Sequence, residues 1–190
     1  MEASSTPTIC RLSDSRRHQL RAIALARIYR AVVTNQSEGI RLALNRINTC
    51  LTRSDAHDAI LDGTIGLELL LSDDENQALS YKLRLRAAAL ALLHGDPVYP
   101  AAEVFTNVKR LYNARSVIVH GQRKKRSQKA TEPADTSSEK DRLLASELLR
   151  FVLNVLLTNP QYEQVEKIDA GLLLRGDEIV ALSQTNPDVL

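Results

Sequence analysis

The sequence contains little of what several common protein classes require. Its 190 residues include only two cysteines, Cys10 and Cys50, and no tryptophan. Two cysteines in unrelated contexts favour neither a disulfide framework nor a cysteine metal cage, so we expect a reducing compartment, the cytoplasm. The chain has no basic start followed by an apolar run and no stretch of about 18 apolar residues, so we expect a soluble protein without membrane contact.

Glycine and proline are also scarce, with seven and six residues, whereas leucine, alanine, arginine and glutamate are abundant. This composition favours helices, and no segment sustains the alternation of apolar and polar residues that marks a strand. A chain of this length buries one sizeable core but is short for two domains of ordinary size. We therefore predict an all-α, single-domain helical bundle of about six to seven helices over residues 1–190.

Helical spacing and capping signals place the elements along the chain. The predicted helices cover about 15–34, 38–52, 55–71, 73–93, 100–120 and 138–158, and a C-terminal helix and tail occupy 161–190. Ser54 is the predicted cap of the third helix, and Asp73 opens the fourth, which ends at Gly95. Residues 38–158 form the core of the predicted fold, with a flexible basic loop at 122–138.

Apolar residues at helical spacing mark the faces that we expect to be buried. The stripe is Ile40, Leu44, Ile47 and Leu51 in the second helix, and Leu144, Leu148, Phe151, Val155 and Leu156 in the sixth. In the fifth helix it is Val104, Val108, Leu111, Arg115 and Ile118. Arg115 stands where a leucine is expected, and an unpaired buried guanidinium is costly. Arg115 therefore needs a carboxylate or borders a cleft, and Glu68, surrounded by leucines, is its predicted partner.

Positive charge is concentrated in one part of the chain. The formal net charge is only +2, but residues 109–129 contain eight Lys or Arg and no acidic residue. A basic segment of this kind attracts a polyanion such as RNA, although it is also typical of a solvated surface loop. The candidate RNA-binding residues are Lys109, Arg110, Arg123, Lys124, Lys125 and Arg126.

Arg115 and His120 together offer the chemistry needed to cleave an RNA backbone. An arginine stabilises charge on a phosphate, and a histidine transfers a proton at neutral pH. On an ideal helix, however, the two residues lie about 140° apart around the axis. Convergence needs either distortion of the helix near Gly121 or a second copy of the helix, related by a twofold axis, that lines a common groove with it, and we expect a homodimer.

The order of these segments resembles the HEPN superfamily, and the Apea-like branch in particular, over about residues 55–157. The resemblance rests on Leu67-Glu68-Leu69-Leu70, on Lys82-Leu83-Arg84-Leu85-Arg86, and on Leu111-Tyr112 followed by Arg115-Ser116 and Ile118-Val119-His120-Gly121. It implies a helical bundle that dimerises and, in active members, a metal-independent endoribonuclease in which Arg115 and His120 are the catalytic pair. It also implies a role as a toxin or effector in bacterial defence, with an antitoxin or nucleotidyltransferase partner.

Ser116 follows the arginine where many catalytic members of that superfamily have Asn, Asp or His. Ser116 and Tyr112 are expected to support the site by hydrogen bonding to the substrate, although Tyr112 also fits a half-buried aromatic that fills the bundle. No metal or cofactor is expected. Three hypotheses stand: an endoribonuclease, an RNA-binding module without catalysis, and a structural dimer in which Arg115 serves only to pair with Glu68.

Overall fold

The computed structural model describes residues 14–35, 37–75, 77–95, 97–120 and 134–172, and the elements in these ranges are helices. They are α1 (Asp14–Thr34), α2 (Glu38–Thr52), α3 (Ala56–Leu71), α4 (Leu79–His94), α5 (Ala101–His120), α6 (Ala134–Thr158), the 3₁₀ turn Pro160–Glu163 and a helical segment at 165–172. The predicted all-α bundle is confirmed. No helix in the described ranges is long and apolar enough to cross a membrane.

The chain divides into two compact units, Met1–Asn35 and Gln36–Leu190. In the first unit, α1 exposes large apolar side chains, including Leu25 and Tyr29. The second unit contains the helical bundle and every candidate residue discussed below.

Helix α3 lies between α2, α5 and α6 in the bundle. It runs antiparallel to α2, because Gly39 at the start of α2 approaches Leu69 near the end of α3. It runs parallel to α6, because Gly63 lies against Ala145 and Gly66 against Leu149. Helices α4 and α5 pack together, and α5 runs antiparallel to α6. This arrangement brings the end of α5 and the beginning of α6 to one end of the bundle.

Two glycines allow α3 and α6 to approach closely. A Cβ atom added at Gly63 would lie 2.8 Å from the Ala145 Cβ, and one added at Gly66 would lie 2.5 Å from a methyl group of Leu149. Both distances are below van der Waals contact, so the interface between these helices has room only for hydrogen at these positions.

Helix ends agree with the predictions in part. Asp55, not Ser54, caps α3, because its carboxylate accepts a hydrogen bond from the Asp58 amide at 2.9 Å. The start predicted for α4 at Asp73 is wrong, since α4 begins at Leu79 and the Asp73 carboxylate instead binds Lys82 and Arg86. Gly95 ends α4 in the left-handed region, with φ of 67°, as predicted.

The other predicted boundaries need one further correction. Helix α6 begins at Ala134 rather than near 138, so residues 134–138, assigned to the basic loop, are helical. The remaining predicted loop residues, 122–133, lie outside the described ranges, as does the tail from 173 to 190.

The buried faces follow the predicted stripes in α5 and α6 but not in α2. Val104, Val108 and Leu111 are buried on α5, and all five predicted positions on α6 except half-buried Leu144 are buried. On α2, Leu51 is 60% exposed, whereas Ala43 and Cys50 are buried beside Ile40. The core side of α2 is therefore rotated toward Cys50, which lies about 80° around the helix from Ile40.

A buried arginine, Arg86, joins three elements at the C-terminal end of α3. The Arg86 guanidinium donates hydrogen bonds to the Leu71 carbonyl at 2.8 Å, to Asp73 at 2.8 Å and to Asp169 at 2.9 Å. Two carboxylates and a carbonyl thus compensate the loss of its hydration. This group ties α4 to the end of α3 and to the segment at 165–172.

Candidate nucleic-acid interface

Arg115 lies on the inner stripe of α5, close to the carboxylate predicted for it. Its Nε atom is 3.6 Å from Oε1 of Glu68 on α3, so the predicted ion pair is confirmed. The Arg115 side chain is 28% exposed, and its guanidinium carbon lies 5.6 Å from the centre of the Tyr112 ring. The structure therefore brings Glu68, Tyr112 and Arg115 together at a partly exposed position.

The contact between Arg115 and Glu68 is electrostatic rather than a hydrogen bond. A separation of 3.6 Å exceeds hydrogen-bond length, and within the described ranges the buried Glu68 Oε1 has no hydrogen-bond partner. Among those residues the Arg115 guanidinium also has no hydrogen-bond acceptor, in contrast to Arg86. The guanidinium therefore has N–H donors that no described residue accepts from.

His120 is the last residue of α5 and is exposed. The helix turns about 140° between Arg115 and His120, so the two side chains leave α5 on different sides. One chain therefore does not bring the two predicted catalytic residues together. His120 instead shares a stripe with Lys109, Asn113 and Ser116, which precede it by eleven, seven and four residues.

A cleft of about 510 Å³ opens beside this stripe, between the beginning of α3, the outer side of α5 and the beginning of α6. We call it the α5 cleft, and its lining includes His57, Lys109, Arg110, Asn113, Val117 and Asp141. The Arg110 Nε donates a hydrogen bond to Asp141 Oδ1 at 2.6 Å, which fixes the guanidinium at the rim.

The predicted RNA-binding residues fall into two groups. Lys109 and Arg110 line the α5 cleft and are exposed. Arg123, Lys124, Lys125 and Arg126 lie outside the described ranges. Ser116 is half-buried, next to Arg115 in the sequence and on the same stripe as His120.

Sequence reasoning missed the cleft itself. The sequence pattern gave no role to His57, Asn113 or Asp141, although all three line the cleft. The spacing of Lys109, Asn113 and His120 on one side of α5 was the available signal. No sequence signal indicated that α6 contributes to the cleft, because Asp141 lies 31 residues beyond Arg110 in the sequence.

The remaining buried polar groups have structural partners. Asp62 is 3% exposed and accepts hydrogen bonds from Arg46 at 2.8 Å and Arg53 at 2.9 Å.

Burial raises the pKa of the Cys50 thiol, which disfavours the thiolate and nucleophilic chemistry. In the part of the chain that is described, no three His, Cys, Asp or Glu side chains are grouped to hold a metal ion.

Comparison with known proteins adds no family assignment. No family model matches the chain, and no curated protein or solved structure shows significant similarity to it.

Proposed function

We propose that this protein is a metal-independent endoribonuclease of the HEPN type that acts as a homodimer, and that it serves as a toxin or effector in a bacterial defence or toxin–antitoxin system. One observation carries the proposal: a partly exposed guanidinium with free N–H donors stands five residues before an exposed histidine at the end of the same helix. The resemblance of the surrounding residues to the Apea-like branch supports the same function.

Arg115 is the proposed phosphate-stabilising residue. Cleavage passes through a phosphorane whose oxygens carry more negative charge than the starting diester, so a guanidinium placed beside them lowers the barrier. Glu68 acts as a positioning residue, because its carboxylate holds the guanidinium by charge without occupying its donors. Tyr112 flanks the same guanidinium, whose carbon lies 5.6 Å from the centre of the ring.

His120 is the proposed proton-transfer residue. As a base, it removes the proton from the ribose 2′-hydroxyl while the 2′-oxygen forms a bond to phosphorus and the bond from phosphorus to the 5′-oxygen breaks, and the departing 5′-oxygen takes a proton from water. As an acid, it supplies the proton that the departing 5′-oxygen takes up, and water accepts the proton of the 2′-hydroxyl. The products are a 2′,3′-cyclic phosphate and a 5′-hydroxyl.

The divergence of the two side chains is the reason for a dimer in this proposal. With Arg115 and His120 on different sides of α5, a complete site needs Arg115 from one protomer and His120 from its partner. A second candidate, an RNA-binding protein without nuclease activity, follows from the same observation if no such pairing occurs.

Cleavage of total cellular RNA in EDTA tests the proposal. Wild-type protein should produce 2′,3′-cyclic phosphate ends, and Arg115→Ala and His120→Ala should each lower the rate at least about a hundredfold. His94→Ala, at the exposed end of α4, is the matched control and should cleave like wild type. Intact RNA after incubation with folded wild-type protein would contradict the proposal, and RNA binding that survives in His120→Ala would then favour the second candidate.

A further inference from the structure

The α5 cleft has the size and lining of a site for a small anionic ligand with one apolar face. Its volume of about 510 Å³ lies within the range of small-molecule sites. Its lining combines the cations Lys109 and Arg110 with the apolar side chains of Ile60, Ala114, Val117 and Ile118. A nucleotide combines the same two chemistries in its phosphate and its base.

The charge balance of the cleft favours an anion. Arg110 is paired with Asp141 at 2.6 Å, so these two side chains cancel, and the paired guanidinium still has N–H donors to offer. Lys109 is exposed and forms no ion pair with another residue of the described ranges, so it leaves a net positive charge. His57 adds a ring nitrogen whose nearest carboxylate, that of Asp55, is 3.9 Å away.

The position of the cleft relates it to the proposed cleavage site. Asn113 lines the cleft and precedes His120 by seven residues on the same side of α5, which is about 10 Å along the helix axis. An RNA strand that follows this side of α5 therefore passes from the cleft to His120. A base enters a cleft of this kind only when it is unstacked, which is the state of bases in single-stranded RNA.

We propose that the α5 cleft binds one nucleotide of a single-stranded RNA substrate, with its phosphate at Lys109 and Arg110 and its base against Val117 and Ile118. This inference rests on the proposed nuclease function and names a substrate subsite for it. The subsite selects unpaired regions of RNA and places the neighbouring phosphate near His120.

Binding of a fluorescein-labelled single-stranded RNA decamer, measured by anisotropy in the non-cleaving His120→Ala background, tests the subsite. Lys109→Ala should weaken binding at least about fivefold and lower the slope of log affinity against log salt by about 0.7. Asn113→Glu, which adds a negative charge inside the cleft, should weaken binding further. Both positions are exposed, so the fold should be retained, and circular dichroism checks this.

Matched controls make the same charge changes outside the cleft. Lys167→Ala and Gln161→Glu alter exposed residues beyond the far end of α6 and should bind like the parent protein. Inorganic polyphosphate of equal charge should compete less well than unlabelled RNA, because it has no base. Equal effects in cleft and control variants, or equal competition by polyphosphate, would overturn the subsite.

The outcomes separate the subsite from the nuclease. If wild type cleaves RNA but Lys109→Ala does not change RNA affinity, only the subsite is overturned. Binding that depends on Lys109, without cleavage by wild type, would support the subsite and overturn the nuclease. Absence of RNA binding would overturn the subsite, and RNA left intact by wild type would overturn the nuclease.

Discussion

At the scale of single residues, the charged side chains inside the bundle differ in how completely they are paired. Asp62 and Arg86 each have two charged partners within hydrogen-bond distance. Glu68 and Arg115 are 3.6 Å apart, and Glu68 Oε1 has no hydrogen-bond partner among the residues that the structure describes. The hydrogen bonds of Asp62 and Arg86 are satisfied by their partners. Arg115 instead keeps N–H donors for an additional anion, which is why we propose it as the phosphate-stabilising residue.

Asp62 should make the stability of the bundle depend on acid pH. Burial alone raises the pKa of the Asp62 carboxyl, but hydrogen bonds from Arg53 and Arg46 outweigh it and hold the pKa below its usual value. The pairing therefore stabilises the fold fully above the unfolded pKa of about 3.9, and this contribution is lost as the pH falls through the lower folded pKa. Asp62→Asn should lower the free energy of unfolding by about 2 kcal/mol at pH 6.

Urea unfolding at several pH values measures this effect. The difference between wild type and Asp62→Asn should shrink as the pH falls below about 4, because wild type then loses the same charge. Asp74→Asn, the same substitution at an exposed position, is the control and should leave stability nearly unchanged. A difference for Asp62→Asn that stays constant down to pH 2.5 would contradict the account.

The pairing of Arg115 was predictable because an arginine interrupts an apolar stripe and Glu68 interrupts a leucine run, so each residue needed the other. The Arg86 group was not predictable in this way. Asp169 lies 83 residues from Arg86, and nothing in the local pattern links them. Only the packing of the segment at 165–172 against α4 brings the two charges together.

At the scale of elements, the contact between α3 and α6 depends on small residues. Gly63→Ala should destabilise the fold, because its new methyl group would meet the Ala145 Cβ and backbone, which have no rotamer to change. Overpacking costs about 1–3 kcal/mol, which exceeds the gain of about 0.5–1 kcal/mol from replacing glycine by alanine in a helix. The melting temperature of Gly63→Ala should therefore fall.

Gly39→Ala is the matched control on α2. The nearest atoms to its added Cβ, Leu69 O and Ser37 Oγ, are 3.7 and 3.8 Å away, which is ordinary contact. Calorimetry should show an unchanged or slightly higher melting temperature for Gly39→Ala. If Gly63→Ala were as stable as this control, the close approach of α3 and α6 would be wrong.

The helices themselves were largely predictable, while their ends depended on side-chain contacts. The predicted start of α2 at residue 38 and the predicted end of α4 at Gly95 are confirmed, because the caps there involve residues close in sequence. Asp73 looked like the acidic start of α4, but its carboxylate is held by Lys82 and Arg86. These tertiary contacts keep it outside the helix. The same limit applies to α2, whose buried side was set by neighbours that sequence periodicity does not identify.

At the scale of the whole molecule, α5 carries different groups on its two sides. The inner side holds Arg115 against Glu68, whereas the outer side holds Lys109 and Asn113 in the lining of the α5 cleft and His120 at the end of the helix. A single chain therefore separates the guanidinium from the imidazole. Under the proposed function, this separation is resolved by a second protomer, and each complete site contains residues of both chains.

Mixing of two inactive variants tests this claim most directly. Arg115→Ala and His120→Ala, each unable to cleave RNA alone, are co-refolded in equal amounts and assayed in EDTA. If each site combines Arg115 of one protomer with His120 of its partner, half of the dimers are mixed and each mixed dimer has one intact site, which restores about one quarter of wild-type activity. Mixed dimers that form, as shown by differently tagged chains, but remain inactive would contradict a site shared between protomers.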